Sequence, residues 1–307
     1  MSITNYPNGV SSFGMPLVGT TTGSVFFVHH SGSNGNSGTD SDNPFASIDY
    51  AIGRCTDSKG DIIYVMPGHA ETIITAGGIT CDVIGVSIIG MGNGRNRPTI
   101  SVSTSTGVDM EIDAANVTVD NLVFDLTGVD AVAAFFDIDA ADFTLKNCDI
   151  IMADTAGQAT AAVLAAGAAH RMTIENNIFR SAVTAGSASA IDLGSENDVR
   201  IIGNEFDGHF TGGVIYTDDT PLRMQIRNNQ ITNLSAGIAG IVLGATGSGV
   251  TGMVANNNIF VADSASYTAQ AVTQLGGATG WFQNFIAVYG EAEEGAVASP
   301  TATYSSA

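Results

Sequence analysis

The sequence predicts an all-β chain wound into a right-handed parallel β-helix, with an N-terminal capping helix and an extended N-terminal arm. Three observations lead there. A short motif recurs about every 27 residues. The composition is rich in glycine and poor in charge. A helix-spaced segment also precedes the first repeat.

The motif reads apolar-x-apolar-x-Asn-x-x-apolar. Copies begin at Val117, Phe143, Met172, Val199, Met224 and Met253, with a weaker one at Gly280, at intervals of 26, 29, 27, 25, 29 and 27 residues. The alternating part is a half-buried strand. The Asn tolerates unusual backbone angles and turns the chain. A second short strand sits between copies: Met110–Ile112, Phe136–Ile138, Ile191–Leu193, Val214–Tyr216 and Ile241–Leu243. A strand-only period of this length is the mark of a parallel solenoid. Leucine-rich repeats need an LxxLxL core that is absent, and propeller blades need longer, hairpin-built periods. Stacking would align Asn121, Asn147, Asn176, Asn228, Asn257 and Asn284 into an amide ladder, with Asn204 standing in beside Gly203. Phe124, Ile150, Phe179, Phe206, Ile231 and Phe260 would form an apolar file. Eight rungs from about Val86 to Val288 would give a rod of roughly 40 Å.

Composition supports an all-β reading and narrows function. Of 307 residues, 44% are hydrophobic and only 13% charged, with 37 glycines. Helical surfaces are usually filled with Glu, Lys and Arg, so this surface must be made of small polar residues. Ten basic residues against 30 acidic ones give a net charge of −20. Nucleic acid and anionic membranes are therefore excluded as partners, and a partner with basic patches fits. Cys55, Cys81 and Cys148 are irregularly spaced and read as buried free thiols. No signal peptide and no membrane-length apolar run is present.

At the start of the solenoid, Asn43 is placed to cap a short helix with Pro44 at its first position. Phe45, Ile48, Ala51 and Ile52 share its face. Asp61–Val65 then reads as the first buried strand. The domain boundaries are 1–24 for the arm, 25–82 for the cap and first rung, 83–290 for the β-helix, and 291–307 for a C-terminal tail.

Val25–Val28, the turn through Gly32, Ser33, Gly38 and Thr39, Asn43–Ile48, Gly60–Gly68 and Glu71–Thr72 resemble the N-terminal module of pectin-lyase-like β-helix proteins. That fold hosts lyases, hydrolases and inert virion parts alike. The opening Ile3–Pro16 is similar to N-terminal peptides of tailed-bacteriophage virion proteins. The resemblance implies a non-enzymatic virion protein, made in the host cytoplasm. Its first expected role is capsid decoration (cement). Its arm, with Tyr6, Pro7, Phe13 and Met15 as docking residues, would bind the major capsid protein or another virion protein. A homotrimer is expected from such relatives. The alternative is a tailspike or tail-fibre protein that binds, and in one version cleaves, host-surface glycan. A free polysaccharide lyase or hydrolase is a third reading.

No catalytic residue, metal or cofactor is assigned. The candidate carboxylates are Asp137 with Asp139, Asp192 with Glu196, and Asp218 with Asp219. Asp137, Asp192 and Asp219 are expected to share a face on neighbouring rungs. Acidic residues are so common here that a solvated acidic face is the simpler account. Arg97-Pro98 is only a fragment of the RxPxxR motif of pectate lyases. Arg171, Arg200, Arg223 and Arg227 are expected to pair with Glu175, Glu205 or Asp207. The Asp40–Asn43 cluster reads as a turn, not a calcium loop. His69, His170 and His209 fall on different rungs, and Trp281 with Phe282 is expected to plug the last one.

Overall fold

A computed structural model describes residues 11–12, 15–16, 22–103, 107–128, 132–152, 159–217, 219–244, 249–262, 272–274 and 278–289. Three parallel sheets dominate it. Sheet 1 has ten strands, from Val25–Val28 to Ala278–Phe282. Sheet 2 has nine, from Ala70–Ile73 to Phe285–Tyr289. Sheet 3 has eight, from Ile79–Cys81 to Val272–Gln274. The chain visits sheets 1, 2 and 3 in turn, and each strand pairs with its equivalent one coil earlier and one later. Nine spacings of about 4.8 Å in sheet 1 make a rod of roughly 43 Å.

The repeat motif spans the corner between sheets 1 and 2. Val119, Leu145, Ile174, Ile201 and Ile226 point inward on sheet 1. The chain then bends at a single residue of positive φ. Asn121, Asn147, Asn176, Gly203, Asn228, Asn256 and Gln283 hold that corner, with φ between 49° and 68°. The N–H groups of Asn121, Asn147, Asn176, Gly203 and Asn228 still donate to the next coil, as Asn121 does to Lys146 O and Asn176 to Ile202 O. The corner turns without breaking the ladder. Asn and Gly are the residues that enter this region at low cost.

Inside, Phe124, Ile150, Phe179, Phe206, Ile231 and Ile259 form one fully buried file. Phe179 stacks on Phe206 with ring centroids 4.9 Å apart. The expected file is correct to Ile231 and then slips by one: Ile259, not Phe260, faces inward. Gly252, not Met253, pairs with Met224, so the last two copies begin one residue earlier than the motif suggests. The second strand of the coil at 214–216 slips likewise, with Ile215 opposite Ile191.

The N-terminal edge is closed by side chains. The capping helix is Ile48–Ile52, with Ser47 at its N-cap. Asn43 is not the cap: Phe45 is held as an isolated bridge to Val28, its N–H donating to Phe27 O, which keeps the chain extended through Pro44. The first helical N–H, that of Ile48, donates to Glu71 Oε2 (3.1 Å). Ile48, Ala51 and Ile52 are buried against the first coil. Asp49 Oδ1 accepts from Thr80 N–H, and Asp57 Oδ1 from Ile84 N–H. Asp61 accepts from Ser24 and Thr56. Sheet edges left open are templates for aggregation, and carboxylates here occupy the exposed donors.

Candidate functional site

An amide ladder is present, with Asn204, Asn257 and Asn284 at expected positions and Asn177 and Asn229 one residue beyond them. Asn177, Asn204, Asn229 and Asn257 are fully buried and Asn284 continues the file. From Asn204 to Asn284, each Oδ1 accepts from the backbone N–H and side-chain amide of the previous coil's Asn, at 2.9–3.1 Å, while Asn177 Oδ1 accepts from the Cys148 N–H (2.9 Å). Each Nδ2 also donates to a carbonyl of sheet 1, such as Asn204 to Ile174 O. Asn204, Asn257 and Asn284 take the ladder role that the sequence predicts. Asn121, Asn147, Asn176 and Asn228 are corner residues instead. Asn121 Nδ2 donates to Gly90 O and Gly92 O, and Asn147 Nδ2 to Asp120 Oδ1. The repeated Asn-Asn pairs at 176–177, 228–229 and 256–257 divide two jobs, corner and ladder, between neighbours.

Sheet 3 carries the acidic candidates. Its outward file runs Thr80, Glu111, Asp137, Leu164, Asp192, Tyr216 and Val242. Asp137 and Asp192 therefore do not sit on neighbouring rungs. The coil of Ala161–Ala165 lies between them, about 9.6 Å in strand spacings. That strand was missed because AAVLA carries no polar alternation. The true neighbour of Asp137 is Glu111, which the sequence reading did not single out. Burial and then the charges of Asp109 and Asp113 hold the Glu111 carboxyl above its ordinary range. Burial and then Asp139, Asp109 and Asp113 do the same for Asp137.

Glu196 follows the strand Ser189–Leu193 and is fully buried. Neither Oε has a hydrogen-bond partner of good geometry. Burial pushes its carboxyl up to about 7. The nearby backbone N–H groups of Glu196 and Gly194 offset this in part, and Asp219 and Asp192 add to it. Asp219 is exposed, with its N–H donating to Thr217 Oγ1 (3.1 Å). Asp218 lies outside the described residues.

The basic residues pair differently from expectation. Asp142, Arg171, Asp198 and Arg223 all have positive φ and stack at the turn entering sheet 1. Arg171 grips Asp142 through Nε and Nη2, both at 2.7 Å, and Arg223 grips Asp198 at 2.8 and 2.7 Å. These hydrogen bonds hold both carboxyls below their usual range. Arg97 Nη2 donates to Leu122 O and Asn147 O while Nη1 meets Asp149 (3.2 Å).

His69 is buried, with Nε2 3.1 Å from Glu71 Oε2, and the rings of His29 and His30 lie 6.3 and 6.2 Å from its own. Sequence spacing hid this grouping, because the cap loop folds back on the first coil. No group of three or more His, Cys, Asp or Glu among the described residues is placed to hold a metal ion. Asp40 Oδ1 accepts from Asp42 N–H, Asn43 N–H and Asn43 Nδ2, the geometry of a turn. Burial raises the thiols of Cys55 and Cys148 to about 12, and also that of Cys81. Of the docking residues, Tyr6, Pro7 and Phe13 lie outside the described residues. Met15 pairs through its backbone with Ser12 in a hairpin. The side chains of Trp281 and Phe282 are also outside them.

A family model for a right-handed beta helix region matches residues 80–231. The fold is a right-handed parallel β-helix. Among solved structures, this β-helix is similar to one titled rhamnogalacturonan lyase, at 15% identity and a TM-score of 0.50. The match covers 78% of this chain and 74% of that one. A lacto-N-biosidase from Eubacterium ramulus aligns at 13% identity and a TM-score of 0.38, over 87% of this chain and 68% of that one. These likenesses concern the fold. No curated protein sequence gave a significant match. No helix among the described residues is long and apolar enough to cross a membrane.

Proposed function

We propose that the β-helix is a structural part of a tailed-bacteriophage virion, a capsid-decorating protein held to the shell by its N-terminal arm. The observation that carries this reading is the arm itself. Its sequence is similar to virion N-terminal peptides, and its hairpin, Ser11–Ser12 with Met15–Pro16, forms a sheet of its own and joins none of the three solenoid sheets. The solenoid begins only at Val25, behind a closed cap. A rod filled by stacked Phe, Ile and Asn suits a load-bearing spacer. It would stabilise the shell by binding the assembled state preferentially. Homotrimeric assembly belongs to the same proposal. Purified protein is expected to bind empty capsids at many sites, and removing residues 2–24 is expected to abolish attachment. Occupancy of a few tail sites only would overturn the decoration role.

The tailspike reading has one specific observation in its favour. Glu111 and Asp137 stand side by side on an outward face, at a strand spacing near the carboxyl separation of retaining glycosidases, about 5–5.5 Å. Turnover of host-surface glycan that is lost in Glu111→Gln and Asp137→Asn would establish it.

A further inference from the structure

Three imidazoles meet at the N-terminal cap. His29 and His30 lead out of the first strand of sheet 1, and His69 stands between the next strand of that sheet and the first of sheet 2. The rings of His29 and His30 lie 4.2 Å apart, centroid to centroid, and both are within 6.3 Å of His69. His30 is exposed, His29 half-buried and His69 buried.

Their hydrogen bonds assign one tautomer to all three. A neutral imidazole has one N–H and one lone pair. His29 Nδ1 accepts from Ser31 N–H (3.3 Å), with Ser31 Oγ 2.7 Å away, and its ring donates to the Pro67 carbonyl. His30 Nδ1 accepts from Ala70 N–H (3.3 Å), which ties the turn to the first strand of sheet 2. His69 Nε2 donates to Glu71 Oε2, so its buried Nδ1 carries the lone pair, and that atom has no partner. In each ring an added proton therefore goes to Nδ1. There it takes the acceptor away from Ser31 N–H and from Ala70 N–H, and it gives His69 a buried N–H with no acceptor placed to receive it.

The charges nearby do not offset this. Glu71 is the one carboxylate in contact, and its Oε2 already accepts from Ile48 N–H. In the cap loop, Asp40 is taken up by its own turn with Asp42, and on the capping helix Asp49 accepts from Thr80 N–H. The short turn Gly94–Asn96, bonded to Gly68 through Asn96 O, brings Arg95, a further positive charge. His29 is held below the ordinary 6.5 by burial first, then by His30 and His69, with the Pro67 carbonyl offsetting part of this. A lowered folded value means stability that is fully present above pH 6.5 and is lost as pH falls through the folded value. We infer that the His29–His30–His69 cluster is an acid-triggered latch: protonation at Nδ1 releases the turn of residues 29–47 from the first coil while the later coils stay wound. Histidine clusters are suited to this because imidazole gains its charge just below neutral pH. The latch is independent of any virion role.

The test is amide hydrogen exchange of the full chain at about pH 7.5 and about pH 5, corrected for the intrinsic pH dependence of exchange. Protection in 29–47 and at Ala70 is expected to fall roughly tenfold at the lower pH, and protection in the strands Thr118–Asp120 to Met224–Arg227 is not expected to fall. In His29→Asn/His30→Asn an oxygen acceptor that cannot be protonated replaces each Nδ1, and the cap should change less than about twofold. An equal acid loss in this variant, or no loss in the wild type, would overturn the inference. If the variant's cap is already unprotected at about pH 7.5, imidazole ¹⁵N NMR of the wild type decides. Nε2–H tautomers in all three rings, with cap opening that follows their titration, are expected. An Nδ1–H tautomer at His30 or His69, or opening at a pH where no imidazole titrates, would sink the latch.

Discussion

Glu196 couples the fold to pH. In the folded chain its carboxyl titrates near 7 against an ordinary 4.5, so the folded state holds the proton more tightly. Stability is then fully present below the unfolded value and falls as pH rises from about 4.5 to 7, at up to about 1.4 kcal/mol per unit. Glu196→Gln removes that slope. The variant should melt above the wild type at pH 8 and close to it at pH 4.5, by differential scanning calorimetry; parallel curves for the two would contradict this origin. A second residue-scale prediction concerns the ladder. Asn204→Ala strips the acceptor from Asn177 N–H and Nδ2 and the donor from Ile174 O, all buried. Stranded buried polar groups cost about 1–3 kcal/mol each, so a loss of about 3 kcal/mol or more is expected in urea unfolding. Asn147→Val, at a corner, should cost less, about 1–2 kcal/mol, because it forces a β-branched residue to positive φ.

Among elements, the capping helix is the most dependent on its surroundings. Five residues cannot sustain a helix alone. It is held by the burial of Ile48, Ala51 and Ile52 and by a carboxylate, Glu71, borrowed from the first strand of sheet 2. Glu71→Ala should therefore speed amide hydrogen exchange at the helix start and lower stability by about 1 kcal/mol, while the central coils keep their protection. Uniform loss of protection along the rod would show that cap and coils unfold together. The helix was legible in sequence as a helix-spaced apolar face. Its start was not, because the Phe45 bridge to Val28 is a contact between segments that no local signal announces.

At the scale of the whole molecule, net charge and segregation act together. A charge of −20, with one sheet face free of basic residues in its strands, makes self-repulsion a standing cost. Raising salt from about 0.05 to 0.5 M should screen it and raise the melting temperature. The double variant Glu111→Gln/Asp137→Asn should show a smaller salt response than the wild type in the same melts. The solenoid itself was readable because a repeat imposes the same local requirement on every coil: inward apolar residues with period two, then one residue able to take positive φ. Those requirements are properties of a residue and its near neighbours, so the sequence alone determined the coil, its length and the apolar files as far as Ile231. Register was decided only in three dimensions. In an Asn-Asn pair either residue fits either role locally. Burial of the second amide against the neighbouring coil selects Asn177, Asn229 and Asn257 for the ladder and leaves the first at the corner. The juxtaposition of Glu111 with Asp137, of Arg171 with Asp142, and of three histidines at the cap likewise arises from stacking, which brings together residues that lie about one coil apart in the chain.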